Sequence, residues 1–159
     1  MDAALVALEN SALAVAVREG AWTYPLVQIL HLLGLVALLG AAGLLDLRLL
    51  GFGHRLPVAL LADWLLPVTR GGFALTALSG FLLFAADARA LAGNTIFHVK
   101  LAAVIAAGVN AWIFHRYVLP CGAWHAGGSI PLPARVVAFI SLACWIAALT
   151  AGRLIAYFV

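Results

Sequence analysis

Residues 22–50 read WTYPLVQILHLLGLVALLGAAGLLDLRLL, and this stretch decides the fold. Between Tyr24 and Asp46 it carries no formal charge, which is longer than the roughly 20 apolar residues that cross a bilayer as a helix. A backbone in hydrocarbon must satisfy its own hydrogen bonds, so the segment is a helix; its length excludes a barrel strand. Pro25 suits a first helical turn, and Gly51-Phe52-Gly53 punctuate the far end. One histidine, His31, lies within the run, surrounded by leucine.

Three further segments follow the same logic: 68–86 after Pro67, 94–119 with Asn94 as N-cap and Pro120 as the stop, and 133–158. The expected fold is all-α, a polytopic membrane protein built as a bundle of four transmembrane helices in a single domain. Residues 57–66, which carry Asp63 and Trp64 among leucines, read as a short interfacial helix or a re-entry loop. Residues 1–20 read as an interfacial helix that keeps Asp2, Glu9, Arg18 and Glu19 in water, with a flexible tail as the alternative. Asp2 and Glu9 replace the positive leader of a signal peptide, so none is expected.

Composition agrees. The chain has 159 residues, of which 66% are hydrophobic and 9% charged, outside the range of soluble domains. A net charge of +3 is too diffuse to bind nucleic acid. Cys121 falls in a loop and Cys144 in an apolar span, so a disulfide framework is not expected. No CxxCH is present for covalent haem attachment.

Arginine placement sets the expected topology. Arg48, Arg55, Arg70, Arg116 and Arg135 gather on one side, Arg18 and Arg89 on the other, with Lys100 and Arg153 further in. The positive-inside rule then places both termini on the periplasmic side of a bacterial inner membrane. Trp22, Trp112 and Tyr157 suit anchors at or near the interfaces.

The histidines carry the candidate chemistry, because an imidazole in hydrocarbon is costly and marks a buried partner, a proton path, a metal or a cofactor. At about 1.5 Å per residue, His31 lies roughly 13 Å inward from Trp22 and His98 roughly 6 Å inward from Asn94, both in the outer half. His115 lies about 31 Å from Asn94, nearer to His54 at the opposite end. Two candidate axial pairs for b-type haem result: His31 with His98, and His54 with His115. His98 and His115 point about 100° apart around an ideal helix, which opposes two haems on one simple face. One or two haems are therefore open, and at each histidine an ordinary structural hydrogen bond or an interfacial position is the alternative.

Lys100, Arg153 and Arg116 are candidates to neutralise haem propionates, with Arg48 and Arg55 as further inner cations; snorkelling to lipid phosphates is the alternative. Asp46 and Arg48 cannot face one another at i,i+2, so each should bond across helices. Gly34, Gly40, Gly43 and Gly80 allow close backbone approach, and Phe73, Phe81, Phe84, Phe97 and Phe114 could line a pocket or a lipid face. His125 with Cys121 forms a Cys-x3-His pair, two ligands that alone are weak evidence for copper or zinc.

Several short motifs, taken together, resemble those of an uncharacterised family of small bacterial four-span inner-membrane proteins. They are Pro25 with His31-Leu32-Leu33-Gly34, Asp46-Leu47-Arg48-Leu49-Leu50-Gly51, Pro67, Gly72-Phe73, and Ser79-Gly80 with Phe84. Asn94 with Phe97 and Lys100, and Asn110 with Phe114-His115, complete the set. The resemblance covers residues 22–117 and implies that His31 and His115 matter most. More distantly, the chain is similar to four-helix di-haem b-type cytochromes, although its histidine spacing departs from theirs.

The expected function is that of a membrane b-type haem protein carrying electrons within or across the bilayer, with a quinone or a redox protein as partner. An electron-transfer protein is expected rather than a stand-alone enzyme, and small-residue faces suggest a homo-oligomer. The competing readings are an oligomeric metal or small-solute permease, with His31, Asp46, Lys100 and Asn110 lining a path, and a non-catalytic scaffold subunit.

Overall fold

The computed structural model describes residues 2–121 and 129–158, the side chains of Asp2 and Cys121 excepted. Every regular element among them is helical: α1 (Asp2–Glu9), α2 (Ala12–Glu19), α3 (Thr23–Leu49), α4 (Val58–Ala86), α5 (Ala88–Gly93), α6 (Thr95–Ile113) and α7 (Leu132–Leu154). A π-helical turn, Phe114–Val118, extends α6, and a 3-10 turn, Ile155–Tyr157, extends α7. Four of these helices are long and apolar enough to cross a membrane. Multi-pass architecture is therefore the fold, as the hydropathy required.

The first span starts and stops within one residue of expectation. Its stop is a Schellman motif, in which Phe52 N–H donates to Leu47 C=O at 3.0 Å and Gly51 N–H to Arg48 C=O at 3.1 Å. Gly51 has φ +111°, a conformation that glycine alone adopts without cost. Arg48 then fastens the turn, donating from Nε to the Leu56 carbonyl (2.7 Å) and from Nη2 to the His54 carbonyl (3.2 Å).

The second span corrects the sequence reading. Neither a separate interfacial helix nor a re-entry loop occupies residues 57–66, and Pro67 does not begin the span. One helix of 29 residues runs from Val58 to Ala86 with Pro67 inside it. Pro67 has no N–H for the Asp63 carbonyl one turn back, but membrane helices tolerate such a gap when neighbouring groups adjust. Residues 1–20 also differ from a single helix: Ser11 accepts from Ala14 N–H at 3.3 Å and starts α2 afresh. Asn94 caps α6 as expected, accepting from the N–H groups of Ile96 (2.8 Å) and Phe97 (3.2 Å).

The spans pack as two hairpins, α3 against α4 and α6 against α7, which meet mainly through α3 and α7. Among the described residues, α4 and α6 hardly approach one another through the backbone. The first hairpin is close because glycines face each other. A Cβ on Gly72 would stand 2.5 Å from Leu38 N, and one on Gly34 2.8 Å from Thr76 N. At the end bearing the loop 51–57, Leu45, Leu49, Val58, Ala62, Phe114, Val118, Ala134 and Ala138 form an apolar core drawn from all four spans.

The opposite end, where both chain termini lie, is tied by polar contacts. Glu9 pairs with Arg89 Nε at 2.7 Å, and Arg18 donates to the carbonyls of Glu9 and Ala86. Asn94 Nδ2 donates to the Phe158 carbonyl at 3.2 Å. A small apolar cluster of Val17, Val27 and Ala86 sits beneath.

Candidate functional site

His31 is half-buried in the terminus-bearing half of the bundle, and α4 supplies its surroundings. Its Nδ1 lies 3.0 Å from the Thr76 carbonyl oxygen and 3.2 Å from Ser79 Oγ. The Ser79 hydroxyl gives its single proton to the Leu75 carbonyl at 2.6 Å, so it faces the imidazole as an acceptor. Two acceptors around Nδ1 require the proton to be on Nδ1. In the neutral ring Nε2 then carries the lone pair, the arrangement that a metal-binding imidazole uses. No hydrogen bond engages Nε2 among the described residues.

Gly80 makes room for the ring. A Cβ there would stand 3.0 Å from His31 Cε1 and 3.3 Å from Nδ1. Across the gap between the hairpins, the Lys100 ammonium is near enough to the imidazole to act on it electrostatically. The Lys100 stem rests over Gly152 of α7, where a Cβ would lie 3.6 Å from Cε and 3.8 Å from Nζ. Towards the terminus-bearing end, Phe84 of α4 and Phe97 of α6 stack with ring centroids 5.3 Å apart and planes within 5°. The outer half therefore carries a lone-pair nitrogen on α3, an ammonium on α6 and an aromatic stack between α4 and α6.

The other sequence candidates are not gathered there. His98 is exposed, and its ring lies against that of Phe97, next to it in sequence. Two positions along α6 rotate Lys100 by about 200°, so the face that holds Lys100 towards α7 turns His98 away. His54 is exposed in the loop, where its carbonyl serves Arg48. His115 is half-buried in the π-helical turn, with Arg70 acting on it electrostatically and its ring edge-on to Phe114. Neither His31–His98 nor His54–His115 is in described contact. Arg153 is exposed and engages Tyr157, donating to its hydroxyl at 3.3 Å, while Arg116 lies over the Tyr117 ring. The Cys121 side chain and His125 lie outside the described residues.

Among the described residues, no three His, Cys, Asp or Glu side chains converge to hold a metal ion. Thr76, Ser79 and Ser141 carried no assigned role in the sequence reading. The available signal was a hydroxyl on an apolar helix at the depth of a charged or imidazole group on another. Asn110 was singled out, and its Nδ2 donates to the Val137 carbonyl at 3.0 Å, locking α6 to α7.

No curated protein and no solved structure matches the chain. The model of DUF6644, a family of unknown function, matches residues 10–158, and the chain belongs to that family.

Proposed function

We propose that this multi-pass membrane protein is an electron carrier that would hold one b-type haem in the terminus-bearing half of the bundle through His31 Nε2. The carrying observation is the Nδ1 contact with the Thr76 carbonyl, reinforced by Ser79. It fixes the tautomer, orients the ring and leaves Nε2 free. The residues present would offer one nitrogen ligand, His31, and one counter-charge, Lys100, rather than a pair of histidines. His31 would hold the iron, and Lys100 would neutralise a propionate. Haem, when bound, supplies one-electron chemistry. The chain's own residues hold the imidazole, give the ring its room at Gly80, and bridge the two hairpins at the Phe84–Phe97 stack.

His98, His54 and His115 remain proposals for further ligation only through a second copy or a rearranged bundle, which is also where self-association would enter. The arginine distribution supports an inner-membrane placement with periplasmic termini. A quinone or a redox protein is the partner that such a carrier needs.

The test is the visible spectrum of the full chain purified from haem-replete cells. A Soret band with a redox-sensitive α band is expected, lost in His31→Ala and kept in His98→Ala. A colourless protein after haem supplementation, with His31→Ala folding normally, would overturn the reading and leave His31 as a link between α3 and α4.

A further inference from the structure

The half of the bundle nearer the loop 51–57 contains a second polar centre that the haem reading does not use. Asp46 is only 8% exposed and is the one acidic side chain buried among the described residues. Its Oδ2 is buried with no hydrogen-bond partner among them. Ser141 of α7 lies close enough to the carboxyl to act on it. One turn earlier on the same face of α7, the Val137 carbonyl accepts from Asn110, so α3, α6 and α7 meet at this level.

Among the described residues no cation answers the carboxyl. On α3, Arg48 spends its guanidinium on the His54 and Leu56 carbonyls. On α4, Asp63 and Arg70 are exposed. On the α6 extension, His115 interacts with Arg70 and Arg116 lies over Tyr117. On α7, Arg135 is exposed. Towards the loop end, Leu45, Leu49, Val58, Phe114 and Ala138 close the site from water. An ionised carboxylate with one bare oxygen in such a place carries the full cost of an unpaired buried charge, whereas a neutral acid leaves only one weak carbonyl acceptor unmatched.

We propose that Asp46, buried beside Ser141, is a proton-binding site within the membrane. The carboxyl holds a proton in the resting protein at neutral pH, and Asn110 fixes α6 and α7 around it. An ionisable group at this depth is characteristic of proton paths, and the inference does not depend on haem.

Infrared spectra of the full chain in lipid vesicles at neutral pH test it. The wild-type minus Asp46→Asn difference should show loss of one protonated carboxyl C=O band, shifted in D2O, with the carboxylate stretches unchanged. Should Asp46→Asn not fold, wild type grown with carboxyl-13C aspartate gives the same readout, since the chain has four aspartates: Asp2, Asp46, Asp63 and Asp87. Loss of carboxylate bands instead, no protonated aspartate signal in the labelled wild type, or stoichiometric sodium binding abolished by Asp46→Asn would each overturn the proposal. A Soret band unchanged in Asp46→Asn would separate this site from that of His31.

Discussion

The two ends of the bundle are held by different physics. At the loop end, side chains from all four spans interlock in one apolar cluster, and the backbone turn is locked by Gly51 and Arg48. At the terminus-bearing end, cohesion comes from individual polar contacts: Glu9 with Arg89, Arg18 with two carbonyls, Asn94 with the Phe158 carbonyl, and His31 with Thr76. Apolar packing between helices in lipid gains little from solvent exclusion, because the lipid is itself apolar; close fit and hydrogen bonds remain. The loop end relies on fit and the terminus-bearing end on bonds. The proposed ligand site lies at the second, where one ring nitrogen of His31 is left unused among the described residues.

The largest expected effect lies where both ends depend on one contact. Gly72 meets the backbone of α3, and a Cβ would fall 2.5 Å from Leu38 N and 2.9 Å from Gly34 O. Neither partner is a flexible side-chain tip, so Gly72→Ala must push the helices apart. The expected cost is about 3 kcal/mol, the upper part of the range for overpacking. Gly71, beside it, has nothing within 4 Å of its virtual Cβ. Gly71→Ala should therefore be neutral or stabilising by up to about 1 kcal/mol. Unfolding in mixed detergent measures both. The displaced α4 should also carry Thr76 away from His31, so only Gly72→Ala should loosen the His31–Thr76 contact.

A smaller and more local loss is expected at the loop end. Leu49 is 1% exposed and interlocks with the core from the other spans. Leu49→Ala opens a cavity, and with lipid as the surrounding medium the cavity part dominates, so about 2 kcal/mol is expected, the low end for such truncations. Leu33 is 55% exposed on the same helix, and Leu33→Ala should stay within about 0.5 kcal/mol. Equal losses for the two would mean that the loop-end cluster is not a packed core. Leu49→Ala should leave the His31–Thr76 contact unchanged.

Hydropathy made the spans legible because length and charge exclusion are properties of a single segment. It gave α3 to within a residue, and the Asn94 cap was readable because a cap is local. Pro67 misled, since a proline that starts a helix in water can sit inside one in a bundle. The pause at Asn10-Ser11 was present in the sequence but hidden by the apolar residues on either side. The π-helical turn at Phe114–Val118 left no signal. His31 was legible as a candidate by depth alone. Its partners were not, because which face of α4 meets it depends on the crossing at Gly34 and Gly72, a contact between helices that no single segment encodes. The same rotational phase separates His98 from Lys100, and depth could not reveal it. Ser141 was missed for the same reason, although the need for Asp46 to bond across helices was plain.

The smallest effect concerns the clamp between the N-terminal helices and α5. The Arg89 guanidinium, bonded to Glu9, holds the Glu9 carboxyl below its ordinary value, with Arg18 contributing. A carboxyl whose folded value is depressed stabilises the folded arrangement at all pH above its unfolded value, about 4.3, and loses that contribution as pH falls through the depressed one. The clamp should therefore be intact at neutral pH and released on acidification below the ordinary glutamate range. Amide protection within 2–19, after allowance for the intrinsic pH dependence of exchange, should fall there, while protection near Leu49 and Ala138 stays unchanged. Glu9→Gln should show the weaker protection already at neutral pH and no further acid response between neutrality and that range. Because the pair is exposed and screened by salt, the overall melting temperature should hardly move. A global rather than local acid response in wild type would mean that the terminus-bearing end is as tightly packed as the loop end, and would remove the physical distinction on which the placement of the His31 site rests.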